Sequence, residues 1–397
     1  MRVLHVLHHA YHQPCGYRTR TQYILRHQQA LGIDVAVVTS SNDEHIDETA
    51  GPLEGWDVAR TPDYAGAALP FVREARMMRL LRATVASAIA RHRPDVVHAH
   101  SPVLVAAPAL SAARAAGLPM LYEIRDLWEN ASVDHGKFST ASIRYRLARR
   151  FDTFVMRRAA AVITISESLR QNVIDRQIAT VVSVVPNGVD PQQFRPVPTS
   201  DSVKARWGLE GKRVLAYVGT FQPYEGLDAL LSAVPMLADR VSGVHVLIVG
   251  HGPQDERLRR MVREHGLASV VTMAGRLPHT EVHTAYAAAD ALIYPRASTR
   301  TTELTTPLKP LEAMAMGKCV IVSDVKALRE LVVDGVTGLS YRAGDRGALI
   351  EVCARALEDD ALRERVGTAG RTWVLRERPW SKVVARYADI YRSATSR

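Results

Sequence analysis

Charged side chains with phosphate-binding and hydroxyl-binding chemistry are concentrated in one stretch of the chain, residues 294–322. Five of them lie within the first 19 positions: Arg296, Arg300, Glu303, Lys309 and Glu312. Guanidinium and ammonium groups bind anions such as phosphate, and carboxylates accept hydrogen bonds from hydroxyl groups. The stretch therefore predicts a binding site for a ligand that is both anionic and hydroxylated.

Regular elements on both sides of this loop would position those side chains. An apolar run at 291–294 predicts a strand, and the apolar spacing at 309–316 predicts a helix that ends at Gly317. A second buried-strand pattern follows at 319–322. In an open α/β sheet, ligands bind beyond the carboxyl ends of the strands, so we expect the site at such an edge.

The same alternation of strand and helix patterns continues along the whole chain, which is typical of parallel sheets covered on both faces. Residues 186–201 interrupt it with four prolines and no apolar periodicity, which predicts a linker. We therefore predict two doubly wound α/β domains, residues 1–190 and 191–379. A last helix begins near residue 380, and the pattern alone would leave it on the second domain.

Two strand-end loops of the first domain carry candidate side chains. Gly16 permits a tight turn after the first strand, and the helix that follows it favours an anion at its N-terminus. His98 and His100 share one side of a strand, but no further ligand spacing accompanies them, so we expect no metal site. We expect His98 to be structural and His100 to face an acceptor.

The next strand-end loop, residues 122–136, contains Arg125, Asp126 and Trp128. Asp126 could act as a general base toward an acceptor hydroxyl. It could equally pair with Arg125 and only fix the loop.

The phrase TELTTPLKPLEAMAMGK, residues 302–318, resembles the donor-binding motif of retaining glycosyltransferases of family 4. It is closest to the branch that builds bacterial exopolysaccharides, and PNGVD at 186–190 is similar to a linker phrase of that family. The resemblance implies the GT-B fold, two doubly wound Rossmann-like domains that face each other across a cleft. It also implies that the first domain binds the acceptor, that the second binds a nucleotide sugar, and that the helix at about 380–397 crosses back to the first domain.

Roles for the two carboxylates follow from this resemblance. Glu312 should bind the donor ribose hydroxyls, and Glu303 should reach the donor sugar, although it lies one residue farther from Glu312 than is common in the family. The family also commonly holds the diphosphate with a basic pair in the loop after the first strand of the second domain. Here those positions are Thr220 or Phe221 and Glu225.

Other cations must then stabilise the leaving diphosphate. The residues we expect to be catalytic are Asp126, Glu303, Arg300 and Lys309. The residues we expect to bind the donor are Gly16, Gly219, Gly252, Arg276, Leu277, Arg296, Leu308 and Glu312. Those expected on the acceptor side are His100, Arg125 and Trp128, of which Arg125 and Asp126 stand where many family members have a histidine.

Net charge is +10, and two segments account for it: residues 71–93 hold six Arg and one Glu, and residues 144–158 hold six Arg and one Asp. Both predict amphipathic helices that could dock on anionic lipid or form a solvated basic face. Nucleic acid is not expected as a partner, because no recognised binding module accompanies the charge.

Cysteine usage and hydropathy indicate the cellular compartment that we expect for the protein. The three cysteines, Cys15, Cys319 and Cys353, are widely spaced and indicate neither a disulfide framework nor a thiolate metal site. No apolar run is long enough to cross a bilayer. We expect a cytoplasmic protein that could associate with the inner face of the plasma membrane.

Together these features predict a metal-independent, retaining glycosyltransferase without a cofactor, which moves a hexose from a nucleotide diphosphate sugar. A UDP-sugar is the expected donor, and a lipid-linked or growing saccharide is the expected acceptor in exopolysaccharide or cell-envelope glycan synthesis. Two alternatives remain open at this point: a nucleotide-sugar epimerase of the same fold, and a non-catalytic scaffold that binds a nucleotide sugar.

Overall fold

The computed structural model describes residues 1–8, 16–40, 55–62, 70–278 and 281–396. It divides into two compact units. The first comprises Met1–Asn187 and Trp380–Arg397, and the second comprises Gly188–Pro379. Cys15 and most of the loop that precedes Gly16 lie outside the described residues.

The first unit is built on a parallel sheet. Its elements up to the second unit are β1 (Arg2–Leu7), α1 (Gly16–Ala30), β2 (Asp34–Thr39), β3 (Val58–Arg60), α2 (Pro70–His92), β4 (Val96–His100), α3 (Val103–Ala115), β5 (Met120–Ile124), α4 (Trp128–Asp134), α5 (Ile143–Met156), β6 (Ala161–Thr164), α6 (Glu167–Ile174) and β7 (Val182–Val184). Within the described residues the strand order is β3-β2-β1-β4-β5-β6-β7, and β1 pairs in parallel with both β2 and β4. Because both faces of a doubly wound sheet are covered by helices, the central strands are buried along nearly their whole length, including the polar side chains within them.

The second unit repeats this plan. Its elements are α7 (Asp201–Ala205), β8 (Arg213–Val218), α8 (Leu227–Arg240), β9 (Val244–Val249), α9 (Asp255–Glu264), β10 (Val271–Gly275), α10 (Val282–Ala288), β11 (Ala291–Tyr294), α11 (Lys309–Ala315), β12 (Cys319–Ser323), α12 (Lys326–Arg329), β13 (Leu339–Tyr341), α13 (Arg346–Glu358) and α14 (Asp360–Glu377). In the described part of the chain the strand order is β10-β9-β8-β11-β12-β13, all parallel. The strand order reverses beside β8, so the loops after β8 and β11 meet at the switch point, where a doubly wound sheet binds its ligand.

The last helix, α15 (Trp380–Thr395), belongs to the first unit. It packs on α1, where the rings of Trp380 and Tyr23 stack with their centres 5.2 Å apart. The hydroxyls of Tyr387 and Tyr391 enter a buried polar network in the sheet of that unit.

Residues 186–201, predicted as a linker, contain the boundary between the two units, but most of the segment is part of the second unit. Val189 and Phe194 are buried in the core of the second unit, and α7 begins at Asp201. The proline-rich composition indicated that this segment forms no long helix or strand. The two apolar side chains nevertheless anchor it in the core of the second unit. The short elements β3, α4 and β13 were also missed, because three to seven residues carry too little periodicity to be recognised.

Candidate functional site

A buried carboxylate lies at the centre of the predicted ligand edge of the second unit. Glu225 is 3% exposed and belongs to a 3₁₀ turn, Pro223–Glu225, that follows β8. Its Oε1 accepts a hydrogen bond from Arg296 Nη2 at 2.9 Å and lies 3.2 Å from Lys309 Nζ. Burial opposes ionisation, but Arg296 and Lys309 lower the pKa of Glu225 to about 2. The carboxylate is therefore ionised and joins two cations that come from different parts of the loop.

Lys309 begins α11, and its side chain reaches back over the end of β8. Its ammonium donates a hydrogen bond to the Tyr217 hydroxyl at 2.7 Å, and that hydroxyl donates to the Thr220 carbonyl oxygen at 2.9 Å. Burial lowers the pKa of Lys309, while Glu225 raises it. The side chain remains 19% exposed, so Lys309 is held by protein partners and is still partly accessible to solvent.

Arg296, expected to bind the donor, is a counterion of Glu225 in the structure. Its guanidinium is 8% exposed. It donates to Glu225 from Nε and Nη2 and to the Thr305 carbonyl oxygen from Nη1. These bonds involve all three guanidinium nitrogens, so Arg296 supports the loop, and its contact with a donor stays a prediction. Lys309 and the exposed Arg300 are the more accessible cations.

Glu312 lies one turn after Lys309 on α11 and is partly exposed. Its Oε2 accepts a hydrogen bond at 2.8 Å from Tyr286, whose side chain is fully buried and packs edge-on against Phe194. A second tyrosine, Tyr294, donates to the carbonyl oxygen of Lys309 at 3.1 Å. Two buried hydroxyls therefore fix the side chain of Glu312 and the backbone at the start of its helix.

Glu303 occupies a different setting from Glu312. Its carboxylate accepts hydrogen bonds from the Ser298 hydroxyl at 2.6 Å and from the backbone N–H of Lys326 at 3.0 Å. These contacts join the loop to the start of α12. Both oxygens have protein partners, so the structure shows a role for Glu303 in shaping the loop, and its contact with a donor sugar stays a prediction.

The glycines expected to face a donor make close contacts within the protein. A Cβ added to Gly219 would overlap the side chain of Lys309. A Cβ added to Gly252 would lie 2.7 Å from the backbone nitrogen of Phe221. Neither residue has room for a side chain, because Lys309 lies beside Gly219 and the Phe221 backbone lies beside Gly252. The donor contacts predicted for these two glycines stay predictions.

The remaining predicted donor residues lie at the ends of strands and helices. Arg276 is exposed after β10, and Leu277 packs partly against the core of the second unit. Leu308 is the residue before α11, and its carbonyl oxygen accepts from the backbone N–H of Glu312. In the first unit, Gly16 is the exposed first residue of α1. The donor contacts of these four residues stay predictions.

The first unit contains its own buried network around Glu123, which is fully buried at the end of β5. Glu123 Oε1 accepts from Arg20 Nε at 3.0 Å and from Arg125 Nε at 2.9 Å, and Oε2 accepts from the Tyr387 hydroxyl. Burial opposes ionisation, but the two guanidinium groups hold the pKa of Glu123 well below its usual range. Arg20 also donates to the carbonyl oxygens of Val185 and Pro186, so it joins β5, α15 and the end of the first unit.

Arg125 and His100, both predicted on the acceptor side, are buried members of this network, and their contact with an acceptor stays a prediction. Arg125 donates to Glu123, to the Tyr17 carbonyl oxygen and to Thr21 Oγ1. Its Nη2 donates to Nδ1 of His100, which is fully buried. Arg125 does not form an ion pair with Asp126 within the described residues, so that alternative for Asp126 is not realised.

Three buried histidines, His5, His98 and His100, bring ring nitrogens within 4.8 Å of one another, close enough to raise the question of a metal. Because Arg125 donates to Nδ1 of His100, the proton of this histidine is on Nε2, which donates to Nδ1 of His5 at 3.0 Å. A metal would need the Nε2 lone pair and would place a proton on Nδ1 facing the Arg125 N–H. The cluster therefore does not fit a resident metal ion. Burial, followed by the charge of His98, lowers the pKa of His5 to about 3.

Asp126 is partly buried in the first unit, and Trp128 is exposed. Burial and the charge of Glu129 raise the pKa of Asp126, while Arg125 and His135 lower it. Within the described residues no donor forms a hydrogen bond to its carboxylate. Trp128 is 38% exposed at the start of α4, with its ring 5.8 Å from that of Phe138. A carboxyl with a raised pKa and open oxygens can accept a proton from a hydroxyl.

The two basic segments form α2 and α5, and α3 contacts both. A groove of about 690 Å³ along α5 is lined mostly by arginines: Arg146, Arg149, Arg150, Arg157, Arg158 and Arg176. Three apolar side chains of α5 are also exposed, Ile143 at 67%, Leu147 at 58% and Phe154 at 47%. Among the described helices none is both long enough and apolar enough to span a bilayer.

Sequence reasoning missed two functional candidates, Tyr217 and Tyr286. The tyrosines lie inside apolar runs and read as core residues, and their hydroxyl contacts depend on loops that are distant in the chain. Glu225 had been interpreted only as the absence of a cation. The one local signal in the sequence for a different role was its position directly before Gly226 in a short turn.

Two family models match the chain. The model described as "Glycosyl transferases group 1" matches residues 200–373, and the model described as "Glycosyltransferase Family 4" matches residues 15–193. The two matches fall on the second and the first unit, respectively.

The proteins that resemble this chain have names that refer to different substrates or products. The chain is 28% identical over 306 residues to a glycogen synthase of Mycobacterium tuberculosis, an alignment that covers 76% of this chain and 69% of that protein. It is 30% identical over 218 residues to the GDP-mannose-dependent alpha-(1-6)-phosphatidylinositol monomannoside mannosyltransferase of the same species, covering 54% of this chain and 56% of the relative.

Solved structures show the fold. Anabaena Alr3699/HepE in complex with UDP superimposes with a TM-score of 0.77 over 99% of this chain and 100% of that one, at 19% identity. The predicted GT-B class, with two doubly wound parallel sheets, is confirmed.

Proposed function

This chain belongs to the glycosyltransferases, with a family 4 first unit and a group 1 second unit, and we propose that it moves a hexose from a UDP-sugar to a lipid-linked or growing saccharide. The transfer retains the anomeric configuration and needs neither a metal nor a cofactor. The product belongs to exopolysaccharide or cell-envelope glycan synthesis.

The arrangement of Lys309 and Glu312 on the first turn of α11 is the observation that carries this proposal. A nucleoside diphosphate presents two anionic phosphates beside a ribose diol, and an ammonium and a carboxylate one turn apart match these groups. Tyr217 and Glu225 hold the ammonium, and Tyr286 holds the carboxylate. Such preorganised charge stabilises the negative charge that develops on a departing diphosphate, which is the largest demand of the reaction.

Arg300 and Asp126 complete the proposed chemistry. Arg300 is exposed in the loop before α11 and supplies a second cation for the diphosphate. Asp126 accepts the proton of the acceptor hydroxyl, because its carboxyl has a raised pKa and open oxygens. With no nucleophile assigned, retention requires the hydroxyl to attack on the face from which the diphosphate leaves.

Two of the comparisons bear on the identity of the nucleotide, and they point to different nucleotides. One relative is named for GDP-mannose, and the Anabaena structure contains UDP. We favour UDP, and a binding comparison of UDP with GDP and ADP decides it.

Peripheral attachment to an anionic membrane is the proposed location, with α5 as the contact. Its arginines complement anionic headgroups, and the exposed Leu147 and Phe154 can enter the interface between headgroups and acyl chains. Cosedimentation with phosphatidylglycerol vesicles tests this. Replacing Leu147 and Phe154 by Glu should abolish binding, whereas Val181→Glu, at a similarly exposed site of the first unit, should not. Equal binding of both variants would contradict the proposal.

Incubation with a panel of nucleotide sugars and a membrane lipid extract tests the transfer itself. We expect release of the nucleoside diphosphate only when the extract is present. Turnover of the nucleotide sugar without an acceptor would instead identify an epimerase. Binding without turnover would identify a scaffold.

A further inference from the structure

The buried Glu225 stands where the family commonly has a lysine, and it is paired with two cations at once. Arg296 contacts it through Nη2 at 2.9 Å and Nε at 3.4 Å, and Lys309 approaches the same Oε1 at 3.2 Å. The carboxylate is 3% exposed and Arg296 is 8% exposed, whereas Lys309 is 19% exposed. The most accessible member of this triad is therefore Lys309.

The path of the Lys309 side chain depends on the glycine that ends β8. Gly219 has φ +154°, and a Cβ at this position would overlap the distal carbons and the nitrogen of Lys309. The ammonium thus lies over the loop from which the usual basic pair is missing. A cation from α11 occupies the place that the loop's own sequence does not fill.

Lys309 has a hydrogen-bond donor left for a ligand. An ammonium has three N–H groups. Among the described residues, Tyr217 accepts one and Glu225 is the ion partner of the second. The third has no protein acceptor within the part of the chain that the structure describes.

Because Arg296 also pairs with Glu225, the Lys309 ammonium can move from Glu225 to a bound anion. Removing the partner of a buried charge is strongly unfavourable, because the remaining charge is left without compensation. Glu225 keeps two hydrogen bonds from Arg296 when Lys309 leaves, so the carboxylate does not become unpaired. Two cations around one carboxylate therefore provide one fixed counterion and one movable one.

We propose that Glu225 is a positioning residue that holds the Lys309 ammonium over Gly219 and passes it to the diphosphate of the bound nucleotide while Arg296 keeps the carboxylate paired. The inference rests on the proposed function, because it assigns a source for the leaving-group cation of that reaction. Glu225 itself does not contact the ligand.

A pH readout separates this role from a merely structural one. Lys309 is faced by Tyr217 from β8, Glu225 from the turn after β8, Arg296 from the loop after β11, and Glu312 from its own helix. Burial and Arg296 lower the pKa of Lys309, and Glu225 and Glu312 raise it. Glu225→Gln removes one raising group, so Lys309 should lose its proton at a lower pH.

The experiment measures the affinity of UDP, with GDP and ADP in parallel, by calorimetry from neutral to alkaline pH. In the wild type the affinity should fall as Lys309 deprotonates, by about tenfold for the loss of one charge-assisted hydrogen bond. In Glu225→Gln the same fall should occur at lower pH. In Glu225→Gln combined with Lys309→Arg it should disappear, because Arg keeps its charge throughout. Glu351→Gln, which removes the exposed partner of Arg240 in the same unit, is the matched control.

A second variant keeps the test valid if Glu225→Gln does not fold. Gly219→Ala leaves Glu225 in place but displaces Lys309, so nucleotide affinity should fall about tenfold, as in Lys309→Ala. Gly219→Ala combined with Lys309→Ala should bind the nucleotide no worse than Lys309→Ala alone, because no lysine side chain remains to be displaced.

The outcomes distinguish this inference from the proposed function. An unchanged pH midpoint in Glu225→Gln, or additive losses in the combined Gly219→Ala and Lys309→Ala variant, overturns the role of Glu225 alone. Binding with the expected shifts but without acceptor-dependent turnover overturns the transferase proposal and leaves the role of Glu225 standing. Absence of binding to all three diphosphates overturns both.

Discussion

Glu123→Gln is expected to destabilise the first unit by about 3 kcal/mol. The substitution keeps the shape of the side chain and removes its charge. Arg20 and Arg125 are then left as two buried guanidinium groups without a counter-charge, although the remaining oxygen can still accept the N–H groups that Oε1 accepts in the wild type. Breaking a buried ion pair by removing one partner costs about 3–5 kcal/mol.

The lower end of that range applies because both arginines keep other acceptors. Arg20 still donates to the carbonyl oxygens of Val185 and Pro186, and Arg125 still donates to Tyr17 and Thr21. These neutral acceptors satisfy the N–H groups but do not balance the charge. The remaining cost is electrostatic, and it should be sensitive to pH.

The pH dependence has a definite sign. The pKa of Glu123 in the folded protein lies well below its usual value, so its contribution to stability is fully present above the carboxyl pKa of the unfolded chain, about 4.3. It is lost as the pH falls through the folded value. The stability difference between wild type and Glu123→Gln should therefore be constant near neutrality and should shrink in strong acid.

Amide hydrogen exchange in β1, β4 and β5 is the appropriate assay, because two units in one chain need not unfold together. Glu167→Gln is the control: its partner Arg170 and its own side chain are exposed, at 35% and 59%, so we expect a change within about 0.5 kcal/mol. A loss for Glu123→Gln no larger than that of this control, or a difference that grows in acid, would refute the reasoning.

Four further predictions concern donor binding, turnover, acid stability and metal dependence. Glu312→Gln should weaken UDP affinity at least tenfold with the fold intact, because an ionised acceptor for the ribose diol is lost; unchanged affinity in calorimetry would count against the site. Arg300→Ala and Lys309→Ala should each lower kcat more than they raise KM, because the charge they stabilise develops only on the departing diphosphate; unimpaired turnover in both would place the phosphate ligands elsewhere. The pKa of His5 falls to about 3 on folding, so stability should be fully present above about pH 6.5 and fall by up to about 1.4 kcal/mol per pH unit below it, and a flat exchange profile between these limits would contradict a neutral buried histidine. Chelation with EDTA should leave turnover unchanged, and loss of turnover that added Mg²⁺ restores would refute metal independence.

Most long elements could be predicted from local pattern alone. The strand predicted at 291–294 has these bounds in the structure, and the helix predicted at 309–316 and the strand predicted at 319–322 each end within one residue of the observed element. Periodicity is a property of residues that are neighbours in sequence, so it survives without any knowledge of the fold. The alternation of these elements, with the motif around Glu312, was also enough for the GT-B class.

Short elements and segments stabilised by distant residues could not be predicted in this way. The α4 helix has seven residues, too few to be stable without its neighbours. Residues 186–201 have the composition of a linker, yet Val189 and Phe194 are buried in the second unit. In each case the stabilising contacts come from parts of the chain that the local pattern does not include.

The sequence by itself determined which charged groups stand near the ligand edge, because Lys309, Glu312 and Arg300 share one loop and helix. Only the tertiary structure decided what each charge does. Glu225 is an anchor for two cations where the sequence indicated a missing one, and Arg296 is its fixed counterion. Lys309 meets Tyr217 across 92 positions of the chain. Pairing of buried charges depends on distance in space and on exclusion of water, and neither can be read from spacing along the chain.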